Sequence, residues 1–72
     1  MKFRWKRSDE GWFLYRWVND ADLNIRYWDW TGYSVSGKDG ACYIEVPELK
    51  GFRSEMSIRE AKAEVKKQAK GA

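Results

Sequence analysis

Histidine is absent from this chain, so both the commonest general base and the commonest metal ligand are missing. The single cysteine, Cys42, has no partner for an intramolecular disulfide and no imidazole to activate it, and alternation places it mid-strand as a buried, inert thiol. That argues against a small secreted disulfide scaffold and for a reducing, cytoplasmic setting. No apolar run approaches the roughly 20 residues of a membrane span. Met1-Lys2-Phe3-Arg4-Trp5-Lys6-Arg7 also lacks the apolar stretch of a signal peptide, so no membrane partner is expected. The one proline, Pro47, cannot donate to a ladder and is expected to end it. Carboxylates occur close together as Asp20 with Asp22 and Glu45 with Glu48, but in a turn and across a strand end, where they read as solvated surface acids. Ser36-Gly37-Lys38-Asp39-Gly40 lacks the spacing of a phosphate-binding loop and reads as a hairpin tip. The expectation is a non-enzyme with no catalytic residue, no metal and no small-molecule cofactor.

What the chain has in abundance is rings. Aromatics make up 17% of its 72 residues: five Trp, four Tyr and three Phe. A chain this short buries a small fraction of its surface, so its stability depends on large side chains. Each enclosed ring removes roughly 150–250 Å² from water, worth on the order of 4–6 kcal/mol at about 25 cal/mol per Å².

Hydrophobic periodicity predicts an α+β fold, a small antiparallel sheet of three to five strands with one C-terminal amphipathic helix over about 57–70 packed on one face. Residues 1–72 form one domain, without linker or internal repeat. Lys2-Phe3-Arg4-Trp5-Lys6 alternates with Phe3 and Trp5 on one face, and Ser8-Asp9-Glu10-Gly11 reads as a turn. In the next strand Trp12, Leu14 and Val18 point one way and Phe13, Tyr15 and Trp17 the other. Leu23 to Tyr27 alternates, and at Tyr27-Trp28-Asp29-Trp30 the apolar phase changes, which predicts a bulge or bend between Trp28 and Gly32. Cys42 to Val46 is the last strand, and residues 48–56 are expected to form a connecting loop in which Leu49, Phe52 and Met56 seal the core. Ser57-Ile58-Arg59-Glu60 is a capping box with a Met56–Ala61 staple. Ile58, Ala61, Val65 and Ala69 line one helical stripe, and Lys66, Lys67 and Lys70 suit the helix C-terminus.

The stripe is too narrow for the rings. It can cover three or four aromatics on one face, yet aromatics lie on both faces of the second and third strands. The surplus requires a curled sheet, a second copy, or a partner on an exposed patch. Trp12, Leu14, Ile25, Tyr27 and Ile44 are expected to form the core. Trp17, Trp28 and Trp30 with Arg16 are the candidate protein-binding residues, Trp and Arg being the types enriched at binding hot spots. The partner would be another protein or a second copy of the chain. A second candidate surface is the basic, aromatic N-terminal strand, Lys2, Phe3, Arg4, Trp5 and Lys6 with Tyr15, which could stack and neutralise single-stranded nucleic acid.

Charge separates these two surfaces along the chain. Residues 1–7 carry four basic groups and no acid, residues 8–50 four basic groups against eight acids, and residues 51–72 six against three. The aromatic-rich segment is thus the acidic one, which favours the protein partner over nucleic acid.

The Trp-rich strands from residue 12 onward, followed by Phe52-Arg53-Ser54-Glu55-Met56-Ser57-Ile58-Arg59-Glu60-Ala61-Lys62, resemble the small uncharacterised sheet-plus-helix proteins of phages and prophages. The resemblance is one of layout and implies an accessory protein that binds a host or viral macromolecule. The opening Lys2-Phe3-Arg4-Trp5-Lys6 before a sheet and a basic helix is also similar to small archaeal chromatin proteins with an SH3-like barrel. Those are Lys-rich throughout the sheet, a pattern from which residues 8–50 depart.

Overall fold

The computed structural model describes residues 2–71, the side chains of Leu49 and Lys50 excepted. Five antiparallel strands, β1 (Phe3–Ser8), β2 (Gly11–Asp20), β3 (Ile25–Lys38), β4 (Ala41–Val46) and β5 (Leu49–Ser54), cross one sheet in chain order, and the helix α1 (Ile58–Gly71) packs against it. The result is the small α+β arrangement that the periodicity predicts. Such a meander needs only short links between neighbours. The strand ends meet as Ser8 opposite Gly11, Lys38 opposite Ala41 and Val46 opposite Leu49, leaving two residues in each turn.

The third of these turns corrects the expected end of the ladder. Pro47 does not stop the sheet, because Pro47-Glu48 is itself the turn and residues 49–54 return as β5 rather than as a loop. A proline that fixes its own φ suits a turn as well as it suits a strand end. Met56 does pack at the core and Phe52 stays 44% exposed, while the Leu49 side chain lies outside the described residues.

The expected phase change takes another form. Ile25, Tyr27 and Asp29 oppose Asp20, Val18 and Arg16, so alternation runs unbroken to Trp30. The irregularity follows it, where Thr31, Gly32 and Tyr33 together face the single residue Leu14. Thr31 Oγ1 fastens the bulge by donating to the Leu14 carbonyl at 2.8 Å and accepting from the Tyr33 amide at 3.2 Å. Gly32 is required there, with φ 89°, and a Cβ on it would meet Pro47 Cγ at 2.9 Å.

Leu14, Val35, Cys42, Ile44, Ala61 and Val65 form the buried core, with Phe3, Trp5, Tyr33, Val46, Met56, Ile58 and Ala69 around it. Small Ala61 lets α1 sit close to β3 and β4. The helix opens with the capping box: the Glu60 amide donates to Ser57 Oγ at 3.1 Å and the Ser57 amide to Glu60 Oε1 at 3.4 Å. Asp39, in the β3–β4 turn, adds a carboxylate that accepts the Ile58 amide at 2.8 Å. On the helix flank the Lys62 ammonium lies 3.5 Å from the Trp12 ring centroid and 5.5 Å from that of Trp5, covering two half-buried indoles. Burial, and then the nearby Arg7, lower its pKa.

A 14-residue helix is about 21 Å long, whereas 14 residues of β3 extend for about 46 Å. The far end of the β2–β3 hairpin therefore projects beyond the helix as an arm, and the molecule measures 43 × 24 × 19 Å. This corrects two expected core residues. Ile25 and Tyr27 share the helix-side face but lie past the helix, 46% and 40% exposed, while Leu14 and Ile44 are buried and Trp12 is half-buried. No helix among the described residues is long and apolar enough to cross a membrane.

Candidate functional site: the open face of the sheet

Strand register divides the side chains between two faces. Trp5, Leu14, Val35, Ile44 and their cross-strand neighbours point to the helix. The alternate residues point to the other face, which no element covers among those described. There β2 contributes Phe13, Tyr15 and Trp17, and β3 contributes Trp28 and Trp30, with Tyr15 directly opposite Trp30 and Trp17 opposite Trp28. Trp17, Trp28 and Trp30 remain 37%, 36% and 45% exposed.

The rings meet edge to face. Trp17 and Trp28 have centroids 5.3 Å apart at 63°, and Phe13 and Trp30 5.8 Å apart at 68°. An edge-on pair uses one ring face between two partners, whereas a stacked pair uses one from each, so this arrangement keeps more π surface available. The Trp30 indole is fixed by donating to the Tyr33 carbonyl at 3.1 Å, a bond that depends on the bulge.

Beside the rings runs a row of cations from the edge strand. Arg4 opposes Tyr15 and Lys6 opposes Phe13. Lys2 continues the row, since its carbonyl accepts the Trp17 amide at 3.0 Å. The Arg4 guanidinium carbon lies 5.8 Å from the Trp28 centroid and the Lys6 ammonium 6.0 Å from that of Tyr15. A depression of about 420 Å³ on this edge is lined by Arg4, Trp5, Lys6, Arg7, Tyr15 and Trp28. Arg26 on β3 and Arg53 on β5 share the same face by register, as does Tyr43 on β4.

The acids of the middle segment are elsewhere. Asp9, Glu10, Asp22, Asp39 and Glu48 occupy the links between strands, where Asp and Gly-rich sequences favour turns. Asp20 and Asp29 are on the helix-side face. Among the described residues, Glu45 is the one carboxylate that strand pairing assigns to the open face. The segment that is acidic in sequence thus supplies the rings and keeps all but one of its carboxylates off the open face, while β1 and β5 bring most of the cations.

The two candidate sets read from sequence are repartitioned accordingly. Trp17, Trp28 and Trp30 come together, but Arg16 lies on the opposite face, bridged to Asp29 at 3.2 Å. Lys2, Arg4, Lys6 and Tyr15 join the tryptophans, while Phe3 and Trp5 turn inward to pack on the core. Phe13, Arg26, Tyr43 and Arg53 belong to the face and were not among the candidates. Alternation from Tyr15 pointed to Phe13, but Tyr43 and Arg53 needed the β3–β4–β5 register.

Cys42 is buried, and its thiol donates to the Met56 carbonyl at 3.0 Å. Burial raises its pKa, and the carboxylates of Asp39 and Glu60 raise it further. It is a packed core thiol.

Fold and site together define a small α+β meander protein with an uncovered aromatic and cationic sheet face. No family model, curated protein or solved structure matches the chain.

Proposed function

We propose that this chain is a non-enzymatic cytoplasmic binding module whose open sheet face takes single-stranded nucleic acid. The supporting observation is the parallel placement of Arg4 and Lys6 on β1, with Lys2 just before it, beside Tyr15, Trp17, Trp28 and Trp30 on β2 and β3. Successive same-face residues on a strand are about 6.7 Å apart, comparable with neighbouring phosphates of an extended strand. Cations at that repeat suit a backbone, and exposed rings beside them suit unpaired bases, each stack contributing about 1–3 kcal/mol. Duplex DNA hides its base faces and offers this surface only phosphates. Reading by stacking predicts little sequence preference.

The test is fluorescence anisotropy with a labelled pyrimidine single strand and a duplex of equal length across a salt series. The single strand should bind more tightly, and three neutralised phosphates should give log K against log salt a slope of about −2. No binding at low salt, or affinity indifferent to salt, overturns the proposal and returns the exposed tryptophans to a protein ligand.

A further inference from the structure

We infer that the chain pairs with a second copy of itself through the helix-side face of the β2–β3 arm, leaving both open faces outward. The arm has apolar groups on both faces, and α1 ends before it. On the helix side the rows are Arg16 with Asp29, Val18 with Tyr27, and Asp20 with Ile25, and Leu23 lies at the tip, 67% exposed. A two-stranded ribbon with apolar rows on both sides is marginal without further cover.

Charge selects both the occupant and the face. A twofold contact brings each patch against itself, so the patch must complement itself under rotation. With the axis crossing the strands at the Val18–Tyr27 row, Val18 meets Val18 and Tyr27 meets Tyr27. Arg16 and Asp20 lie two residues to either side of Val18, about 6.7 Å each way along the strand. The rotation therefore sets Arg16 of each copy opposite Asp20 of the other. The same operation on the open face would join two patches that each carry Arg26, Arg4 and Lys2 and no carboxylate, so neither copy could offer the other an opposite charge.

The groove beyond the arm fits the same arrangement. It has a volume of about 750 Å³, begins at Arg16, and continues between Phe3, Tyr33, Val46, Pro47 and Ala69. Reversing one arm over the other carries the tip to this groove, so Leu23 of each copy meets its apolar part, Phe3, Val46, Pro47 and Ala69, on the other. Lys70, which lines the groove together with Glu48 and Gln68, offers a cation to Asp22 of the incoming tip. The inference stands apart from nucleic-acid binding, since it uses the opposite face.

The experiment is sedimentation velocity on the wild-type chain and on Val18→Lys and Val18→Glu variants, each checked for native circular dichroism. The wild type should sediment at twice the chain mass of 8.6 kDa. Each variant alone should be monomeric, because the substituted residue faces itself, and an equal mixture of the two should recover the dimer. A monomeric wild type at high micromolar concentration, or a Val18→Lys variant that remains dimeric, overturns the inference. Strand binding measured on the monomeric variants reports separately on the open face.

Discussion

The Arg4 guanidinium stands 5.8 Å from the centre of the Trp28 ring, joining the first strand of the sheet to the projecting arm. Two residues 24 positions apart in sequence thereby combine a phosphate-binding charge and a base-stacking surface in one depression. A cation over an exposed indole contributes about 0.5–1 kcal/mol, so the pair also keeps both side chains oriented.

Trp28→Ala should weaken single-strand binding by about tenfold to a hundredfold, the equivalent of one lost stack. Trp28 is outside the buried core, so the melting temperature should change little. Arg4→Ala should weaken binding less and flatten the salt dependence by about 0.7 in slope, one phosphate contact. Anisotropy titrations beside thermal melts check both, and a Trp28→Ala chain that binds as wild type would sink the stacking reading.

Asp39→Ala should cost about 1 kcal/mol, the usual value of a helix-capping oxygen. Its carboxylate accepts the Ile58 amide from another element, so the loss also loosens the β3–β4 turn from α1. For a domain of this size the melting temperature should fall by roughly 4–8 °C, as scanning calorimetry would show. Asp39→Asn, which keeps an acceptor, should recover most of it.

Gly32→Ala and Gly40→Ala separate strain from crowding. Both glycines have positive φ, 89° and 82°, so an alanine at either pays the left-handed penalty of about 1–2 kcal/mol. Only at Gly32 does the new Cβ also strike a neighbour, Pro47, while Gly40 faces open space. Urea denaturation should show the larger loss for Gly32→Ala. Equal losses would mean that the bulge yields freely.

Alkaline pH should destabilise the wild type more than a Cys42→Ala variant. The folded thiol holds its proton more tightly than the unfolded one because of its burial, with Asp39 and Glu60 adding to the effect. Its contribution is complete below the unfolded thiol value of about 8.5 and is lost as pH rises through the folded value. Lys62 works in the opposite sense, since its folded pKa is lowered and charging it costs stability at neutral pH. Denaturant midpoints from neutral to alkaline pH should therefore converge between the wild type and Cys42→Ala, and parallel curves would contradict the buried-thiol account.

The sequence by itself determined the element types and their facing for β1 to β4 and the helix, but not for β5, whose residues read as a connecting loop. Period-2 runs placed Trp12 and Leu14 opposite Phe13, Tyr15 and Trp17, and Ser57 with Glu60 marked the helix start, because these are contacts between residues a few positions apart. The excess of rings over helical cover was also legible, since it needs only a count. Tertiary structure alone decided where the helix stops along the sheet, which left Ile25 and Tyr27 outside, and which charges share a face with the tryptophans. Register between strands brought Lys2, Arg4 and Lys6 to Tyr15, Trp17 and Trp28, whereas alternation within each strand is enough to turn Arg16 and Asp29 to the other side. A charge total taken along the chain averages over turns and both faces, whereas binding depends on the one face that a ligand meets.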